Sequence, residues 1–261
     1  MRHPVRTWVL FLLPLLAAAQ SAPEPRKYLV ATAIYLDASK ADFSAMPAPP
    51  APGSLAAEAD LETILQLQGW RSPEEVAFAK RVDHLEAFDG AEAIGPWFSR
   101  AQLPRLGKLL DEALGDGEGM NYVAKLRYKR LRPPFQDSRV RPCTPVQQPT
   151  GATPPASFYS YPSGHATSIY LLAELLGELL PARRQALQDW AHRAAWSRII
   201  AGVHFPSDDI GGRLLAAITV RALKANPAFR AAFQACSEEL ATAAACAAGS
   251  RSAPPATPEC S

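Results

Sequence analysis

An excess of charge of either sign is missing from this chain. Its 261 residues carry 27 Lys and Arg against 25 Asp and Glu. There is no basic tract of the kind that grips a nucleic-acid backbone, so no nucleic-acid partner is expected. Long apolar runs are missing too. After residue 25 no stretch reaches the roughly 18 residues that suggest a bilayer span. Leu171–Leu180 comes nearest and is interrupted by Glu174 and Glu178. Stable membrane insertion is therefore not expected, and the mature protein should be soluble. Alternating Val, Ile and Thr runs bounded by turns are also lacking. The one strand candidate, Tyr28–Tyr35, stands isolated. No G-x-x-x-x-G-K-S/T phosphate loop occurs, and no His/Asp/Glu cluster has two-metal spacing. No metal or other cofactor is expected.

What is present is an ordinary globular composition, with 48% hydrophobic and 20% charged residues. That balance argues against a disordered chain or a coiled coil. Proline is the exception: 25 residues, about twice the usual ~5%. Seventeen fall in four clusters, at 23–25, 47–52, 133–162 and 254–258. Proline ends helices and is kept out of central strands, so these clusters separate the regular segments.

Almost every periodic segment between them predicts helix. Ser72-Pro73-Glu74-Glu75 combines an N-cap, proline at the first helical position and Glu at the third. Leu106, Leu109, Leu110, Ala113 and Leu114 share one face of a helix expected to end at Gly115. Ser163 caps a helix running through Leu179 and stopped by Pro181. Leu187, Trp190, Ala191 and Ala194 continue the pattern. Further helices are expected from about Asp208 to Ala225 and from Asn226-Pro227 onward, the last with Phe229, Phe233, Cys236 and Leu240 on one face. The fold class is all-α, in a single domain.

The N-terminus reads as a secretory signal. Arg2 and Arg6 precede a short apolar core, Trp8–Leu16, and Ala17-Ala18-Ala19 offers a cleavage site. The division expected is a signal at 1–19, an extension and Pro-rich linker at 20–53, a helical domain at 54–248 and a flexible tail at 249–261. A periplasmic or secreted location follows. Without residues 1–19 the charge balance is 25 against 25. The four cysteines, Cys143, Cys236, Cys246 and Cys260, suit disulfides in such a compartment. Cys236 and Cys246 would lie ~15 Å apart on an unbroken helix, too far to bridge, and no pairing is assigned.

Three segments concentrate polar residues that helix packing does not require. In Lys125–Pro133 (KLRYKRLRP), Lys125 and Arg132 are seven residues apart, two helical turns, and would share a face aimed at an anion. Pro133 disfavours helix at Arg132 and leaves its guanidinium at the helix end. Alone, this segment also fits a solvated basic face, since Arg127, Lys129 and Arg130 crowd it. In Tyr161-Pro162-Ser163-Gly164-His165, a Ser N-cap and a Gly expose amides at a helix start, where the dipole favours negative charge. Alone, an ordinary cap fits as well. In Ser197–Asp208 (SRIIAGVHFPSD), Asp208 is placed to accept from His204 Nδ1–H, leaving Nε2 as a free lone pair. A structural His–Asp pair would look the same. Together, three cations, a helix N-terminus and two histidines are the inventory for metal-independent phosphoryl transfer.

The pattern Lys-x6-Arg-Pro, Pro-Ser-Gly-His, Ser-Arg-x5-His-x3-Asp resembles the type 2 phosphatidic acid phosphatase superfamily. All eleven fixed positions match: Lys125, Arg132, Pro133, Pro162, Ser163, Gly164, His165, Ser197, Arg198, His204 and Asp208. Within it the chain most resembles the bacterial class A non-specific acid phosphatases, over most of residues 43–224. The resemblance implies a helical bundle of the acid phosphatase and vanadium haloperoxidase type. It implies hydrolysis of phosphomonoesters through a phosphohistidine, with phosphotransfer to alcohols as a side activity. Catalytic roles fall to His204 as nucleophile, Asp208 as its orienting partner and His165 as acid and base. Lys125, Arg132, Ser163, Gly164 and Arg198 would bind phosphate. Asp209 competes with Asp208, and the spacing favours Asp208. His84 and His192 match no motif and are read as structural or surface residues. Small phosphomonoesters are the expected partners, and a homo-oligomer is an option the family allows. Three other readings are weighed: a vanadium-dependent haloperoxidase-like enzyme, a lipid phosphate phosphatase, and a non-catalytic periplasmic phosphate-ester binding protein. Bromide oxidation with vanadate and peroxide separates the first. The missing membrane spans disfavour the second. The intact His165, His204 and Asp208 argue against the third, because binding alone does not need them.

Overall fold

A helix that is apolar on every side has to be surrounded. Residues 164–179 come near that description, broken by the half-buried Ser168, Glu174 and Glu178, and Ile169, Leu171, Leu172, Leu175 and Leu176 are fully buried. They form the central helix of an all-α architecture. The computed structural model describes residues 34–146, 148 and 155–252. The signal segment 1–19, most of the strand candidate Tyr28–Tyr35, and residues 253–261 with Cys260 lie outside them, as does the side chain of Cys246.

The helices in chain order are α1 (Leu55–Trp70), α2 (Pro73–Val82), α3 (Ala91–Ile94), α4 (Pro104–Tyr128) and α5 (Pro133–Gln136). They continue with α6 (Gly164–Leu179), α7 (Arg184–Ile200), α8 (Pro206–Ala225) and α9 (Pro227–Ser252). Among the described residues there is no strand, only an isolated antiparallel bridge between Leu131 and Tyr159. Helix α6 packs most extensively on α7 and α8, and also on α4. One large core joins these helices to α9 through Leu106, Leu110, Leu187, Trp190, Leu223 and Phe229. No helix among the described residues is long and apolar enough to cross a membrane.

Several helix starts follow the cap chemistry in the sequence. Ser72 Oγ accepts from Glu75 N, and the Glu75 carboxylate accepts from Ser72 N, a reciprocal capping box. Ser163 caps α6 as expected, and its Oγ accepts from Ala166 N. Helix α4 has no side-chain cap of its own. Glu239 of α9 supplies one from a distance, accepting from the amides of Arg105 and Leu106 at 3.0 and 2.8 Å. An acid at that end also meets the helix dipole favourably.

Two helix boundaries differ from expectation. Helix α4 does not stop at Gly115 but runs on to Tyr128. Tertiary packing overrides the poor helix propensity of Gly115, Gly117 and Gly119. Gly117 is part of the reason: a Cβ there would stand 3.1 Å from Leu171 Cδ1, so glycine lets α4 approach α6. The second difference is where the helix does end. Lys129 adopts the left-handed conformation (φ 50°), and its N–H bonds back to Lys125 O. Helix α4 therefore ends at Tyr128, and Lys125 and Arg132 do not share a helix face. Arg132 comes back toward Lys125 along extended chain, with φ −70° and ψ 156°.

The prolines at 47–52 are held by the same machinery. Tyr161 Oη donates to Pro47 O at 2.6 Å, and the Tyr161 ring meets Tyr128 edge-on. Phe43 and Met46 are buried beside Met120 and Leu215. At the contact of α8 with α6, Gly211 and Gly212 allow an approach no side chain would permit. A Cβ at Gly212 would lie 2.6 Å from Ala166 Cβ and 2.7 Å from Ser163 O.

Candidate active site

The residues singled out from sequence meet where four helix ends converge. The end of α7 explains the Ser-Arg-x5-His interval. Gly202 is in the left-handed region (φ 75°), as a glycine after a helix commonly is. Its N–H bonds to Ile199 O, and Val203 N–H reaches Arg198 O. These paired bonds make a Schellman turn. The turn leaves Arg198 in the last helical turn and brings the chain around to present His204. Pro206 then opens α8 at its first position. Asp208, at the third, reaches back to accept from Phe205 N at 2.9 Å.

The same Asp208 Oδ2 lies 3.3 Å from His204 Nδ1. A carboxylate oxygen accepts, so Nδ1 carries the proton and Nε2 holds a lone pair. That lone pair accepts from Arg132 Nη1 at 3.1 Å. Asp209 makes no such contact; burial pushes its carboxyl up to about 6, and its Oδ1 is buried with no hydrogen-bond partner.

The cations around His204 are held mainly by backbone carbonyls. Lys125 Nζ donates to Tyr159 O (2.6 Å) and Ser160 O (3.1 Å). Arg132 donates to Ser157 O (2.9 Å) and Val203 O (3.0 Å). Arg198 Nη1 donates to Ala79 O at 2.8 Å, and its Nη2 pairs with Asp83 and Thr144. His165, in the first turn of α6, has Nε2 3.3 Å from Asp83 O. A carbonyl only accepts, so Nε2 carries hydrogen and Nδ1 is left for proton transfer. At the same helix start, Ser163 N–H donates to Asp208 O at 3.0 Å. The geometry of a helix N-terminus leaves the Gly164 and His165 amides without intrahelical partners. His204, Lys125, Arg198, Ser163 and Asp208 are buried, while Arg132 and His165 are half-buried.

This field has consequences for protonation. Burial first, then Arg132, Lys125, Arg198 and Arg130, pull His204 well below the ordinary histidine value. Burial, then Arg198 and His204, do the same to His165. Lys125 is also drawn well below its usual value, by burial and then Arg132, with Asp208 pulling the other way. Near neutral pH the site therefore holds two neutral histidines among several cations. An oxyanion suits that field.

Sequence reasoning missed three residues. Asp83 carries Arg198 on its carboxylate and His165 on its carbonyl. Arg130, counted among the crowding cations, turns inward and pairs with Asp60 and Asp208. Asp60 comes from α1. Only the reversal of the chain at Lys129 separates Arg130 from the solvated basic face, and that reversal had no sequence signal. The side chains of His84 and His192 are exposed, with His192 Nδ1 3.1 Å from Tyr170 Oη. Cys143 and Cys236 carry free thiols. Among the described residues no three His, Cys, Asp or Glu side chains converge as metal ligands would.

The class this defines is an all-α protein that gathers cations, helix-start amides and a histidine lone pair around one oxyanion site. Comparison with known proteins narrows it. Residues 111–231 match the PAP2 superfamily model. It is 30% identical to the non-specific acid phosphatase of Providencia stuartii over 152 residues, 58% of this chain and 59% of that protein. Against the acid phosphatase of Zymomonas mobilis the figures are 32% over 152 residues, 58% and 56%. The non-specific acid phosphatase of Salmonella typhimurium is 40% identical over 81 residues, 31% and 32% of the two chains. The match thus spans well under two thirds of each relative. A crystal structure of a transmembrane PAP2 type phosphatidylglycerolphosphate phosphatase from Bacillus subtilis covers 66% of this chain and 87% of its own, at 20% identity and a TM-score of 0.47.

Proposed function

We propose that the protein is an exported acid phosphatase that hydrolyses small phosphomonoesters through a phosphohistidine. The observation that carries this reading is His204. Its Nδ1 faces Asp208, its Nε2 lone pair accepts from Arg132, and Lys125 and Arg198 lie near enough to act on its charge. A site for binding alone has no need of an oriented lone pair there.

Arg132 donates to that lone pair. A phosphate oxygen that takes over Arg132 frees Nε2 to attack phosphorus. The P–O bond to the alcohol breaks as the P–Nε2 bond forms, and the departing oxygen takes a proton from His165 Nδ1. Asp208 stabilises the positive charge on the His204 ring. Water then attacks phosphorus, His165 accepts its proton, and the P–N bond breaks to release inorganic phosphate. An alcohol in place of water gives phosphotransfer. Lys125, Arg132, Arg198 and the amides at the start of α6 hold the oxygens throughout. The dianionic ester supplies the charge that lets His165 become protonated despite its depressed pKa. That proton is lost as pH rises, so the expected optimum is acidic.

The test is alkaline-denaturant quench trapping with labelled phosphomonoester. Base-stable, acid-labile label on His204 is expected in the parent and absent in His204→Ala, which should still bind inorganic phosphate. Activity that climbs steadily to pH 9, or that EDTA abolishes and a divalent metal restores, overturns the reading.

A further inference from the structure

We propose that Arg130 and Asp60 are positioning residues for the nucleophile, a buried pair that fixes the rotation of the Asp208 carboxylate and through it the ring of His204. This rests on the phosphatase reading for its kinetic consequence, but not for its structural one.

Asp208 has two oxygens with separate assignments. Oδ2 serves His204 Nδ1 and Phe205 N, while Oδ1 accepts from Arg130 Nη1 at 2.8 Å. Without Arg130, Oδ1 would be a buried acceptor free to swing toward His204. The arginine is in turn fixed on three sides. Its Nη1 also donates to Ser207 Oγ at 2.6 Å, and its Nη2 donates to Asp60 Oδ2 at 2.7 Å. Its guanidinium carbon stands 4.0 Å over the Phe205 ring. Asp60 closes the circle by accepting from Ser207 N at 3.1 Å and from Ser207 Oγ. Two carboxylates and a guanidinium, all under 10% exposed, are thus linked through the first turn of α8.

Such a cluster is a poor device for stability alone. Buried ion pairs cost desolvation that well-packed apolar side chains avoid. A planar fork that joins two carboxylates does set orientation, which apolar packing cannot do. Arg130 also contributes charge. The charged or titratable groups around His204 are Lys125 of α4, Arg130 and Arg132 beyond it, His165 of α6, Arg198 of α7 and Asp208 of α8. Arg130 offsets the base-strengthening effect of Asp208, and Asp60 offsets Arg130. The arrangement keeps His204 neutral and its lone pair aimed.

The experiment compares Arg130→Gln, Arg130→Lys and Asp60→Asn in the full chain. Thermal melting, inorganic phosphate affinity, kcat and KM for p-nitrophenyl phosphate, and ¹⁵N NMR titration of His204 are read for each. Arg130→Gln should lower kcat about 10- to 100-fold while inorganic phosphate affinity stays within about threefold, since no phosphate ligand is touched. Its His204 titration should move to higher pH, because one nearby cation is gone. Asp60→Asn should move it the other way, with a smaller loss of kcat. Arg130→Lys should recover part of the rate. A fall in kcat at unchanged phosphate affinity is not expected of a merely structural brace. A folded Arg130→Gln with unchanged His204 titration and kcat overturns the proposal, as does an equal loss of kcat and inorganic phosphate affinity. If Arg130→Gln does not fold, Asp60→Asn and Arg130→Lys decide by the same readouts. If the parent hydrolyses no phosphomonoester, the function fails, and the NMR titration still judges the positioning.

Discussion

The substitution Gly212→Ala adds one methyl group where α8 crosses the start of α6. The new Cβ would lie 2.6 Å from Ala166 Cβ, 2.7 Å from Ser163 O and 3.1 Å from Thr167 N. Two of those neighbours are backbone in the first turn of α6 and cannot rotate aside. Restoring ordinary contact requires the helices to part by roughly 0.8 Å, which loses dispersion contacts along their interface. Overpacking of this kind costs about 1–3 kcal/mol. In a domain of this size that corresponds to a fall in Tm of roughly 2–4 °C per kcal/mol. The displacement also falls on the site. Helix α6 begins with Ser163, Gly164 and His165, α8 begins just after His204, and Ser163 N–H donates to Asp208 O across the junction. A misplacement near 1 Å is worth up to ~100-fold in rate. Calorimetric melting, orthophosphate titration and p-nitrophenyl phosphate turnover should all register the change. Gly69→Ala is the control. It sits in α1 with nothing within 4 Å of its Cβ and should stabilise by about 0.5–1 kcal/mol. A Gly212→Ala protein that melts within 1 °C of the parent and binds phosphate equally well refutes the close-contact reasoning.

Asp209→Asn should stabilise the protein by about 1–3 kcal/mol at pH 7.5 and have little effect near pH 4. The raised pKa means the buried carboxyl favours its protonated form, so its penalty grows as pH rises from 3.8 toward about 6; equal effects at both pH values would count against this. Glu239→Ala should lower stability by about 1 kcal/mol and expose the amides of Arg105 and Leu106 to faster hydrogen exchange, while kcat is unchanged. Unchanged exchange there would sink the capping account. The depressed pKa values of His165 and His204 favour the neutral form on folding, so stability is full above pH 6.5 and declines as pH falls below it. His204→Gln should reduce that decline in urea titrations, and an identical pH dependence would contradict the assignment.

The site was legible in the sequence to the extent that it is built from local grammar. The Ser163 cap, the proline and acid that open α8, and the glycine turn after Arg198 each act within a few residues. Their spacing therefore survives into three dimensions. Asp60, Asp83 and Arg130 were not legible, because their roles come from partners 70 to 115 residues away. Helix α4 shows the same limit in the fold. Its glycines read as a stop, and only the packing of Gly117 against Leu171 shows why the helix continues.

The carbonyl cradles of Lys125 and Arg132 have a consequence for how the protein responds to its ligand. Backbone dipoles fix where these cations point before an oxyanion arrives, so a bound oxyanion stabilises the folded chain by mass action without having to order them. Inorganic phosphate, the product of the proposed reaction, is such an oxyanion. In a phosphate-poor medium the protein would be at its softest around the site when it has substrate still to find, and at its most rigid when its work is done.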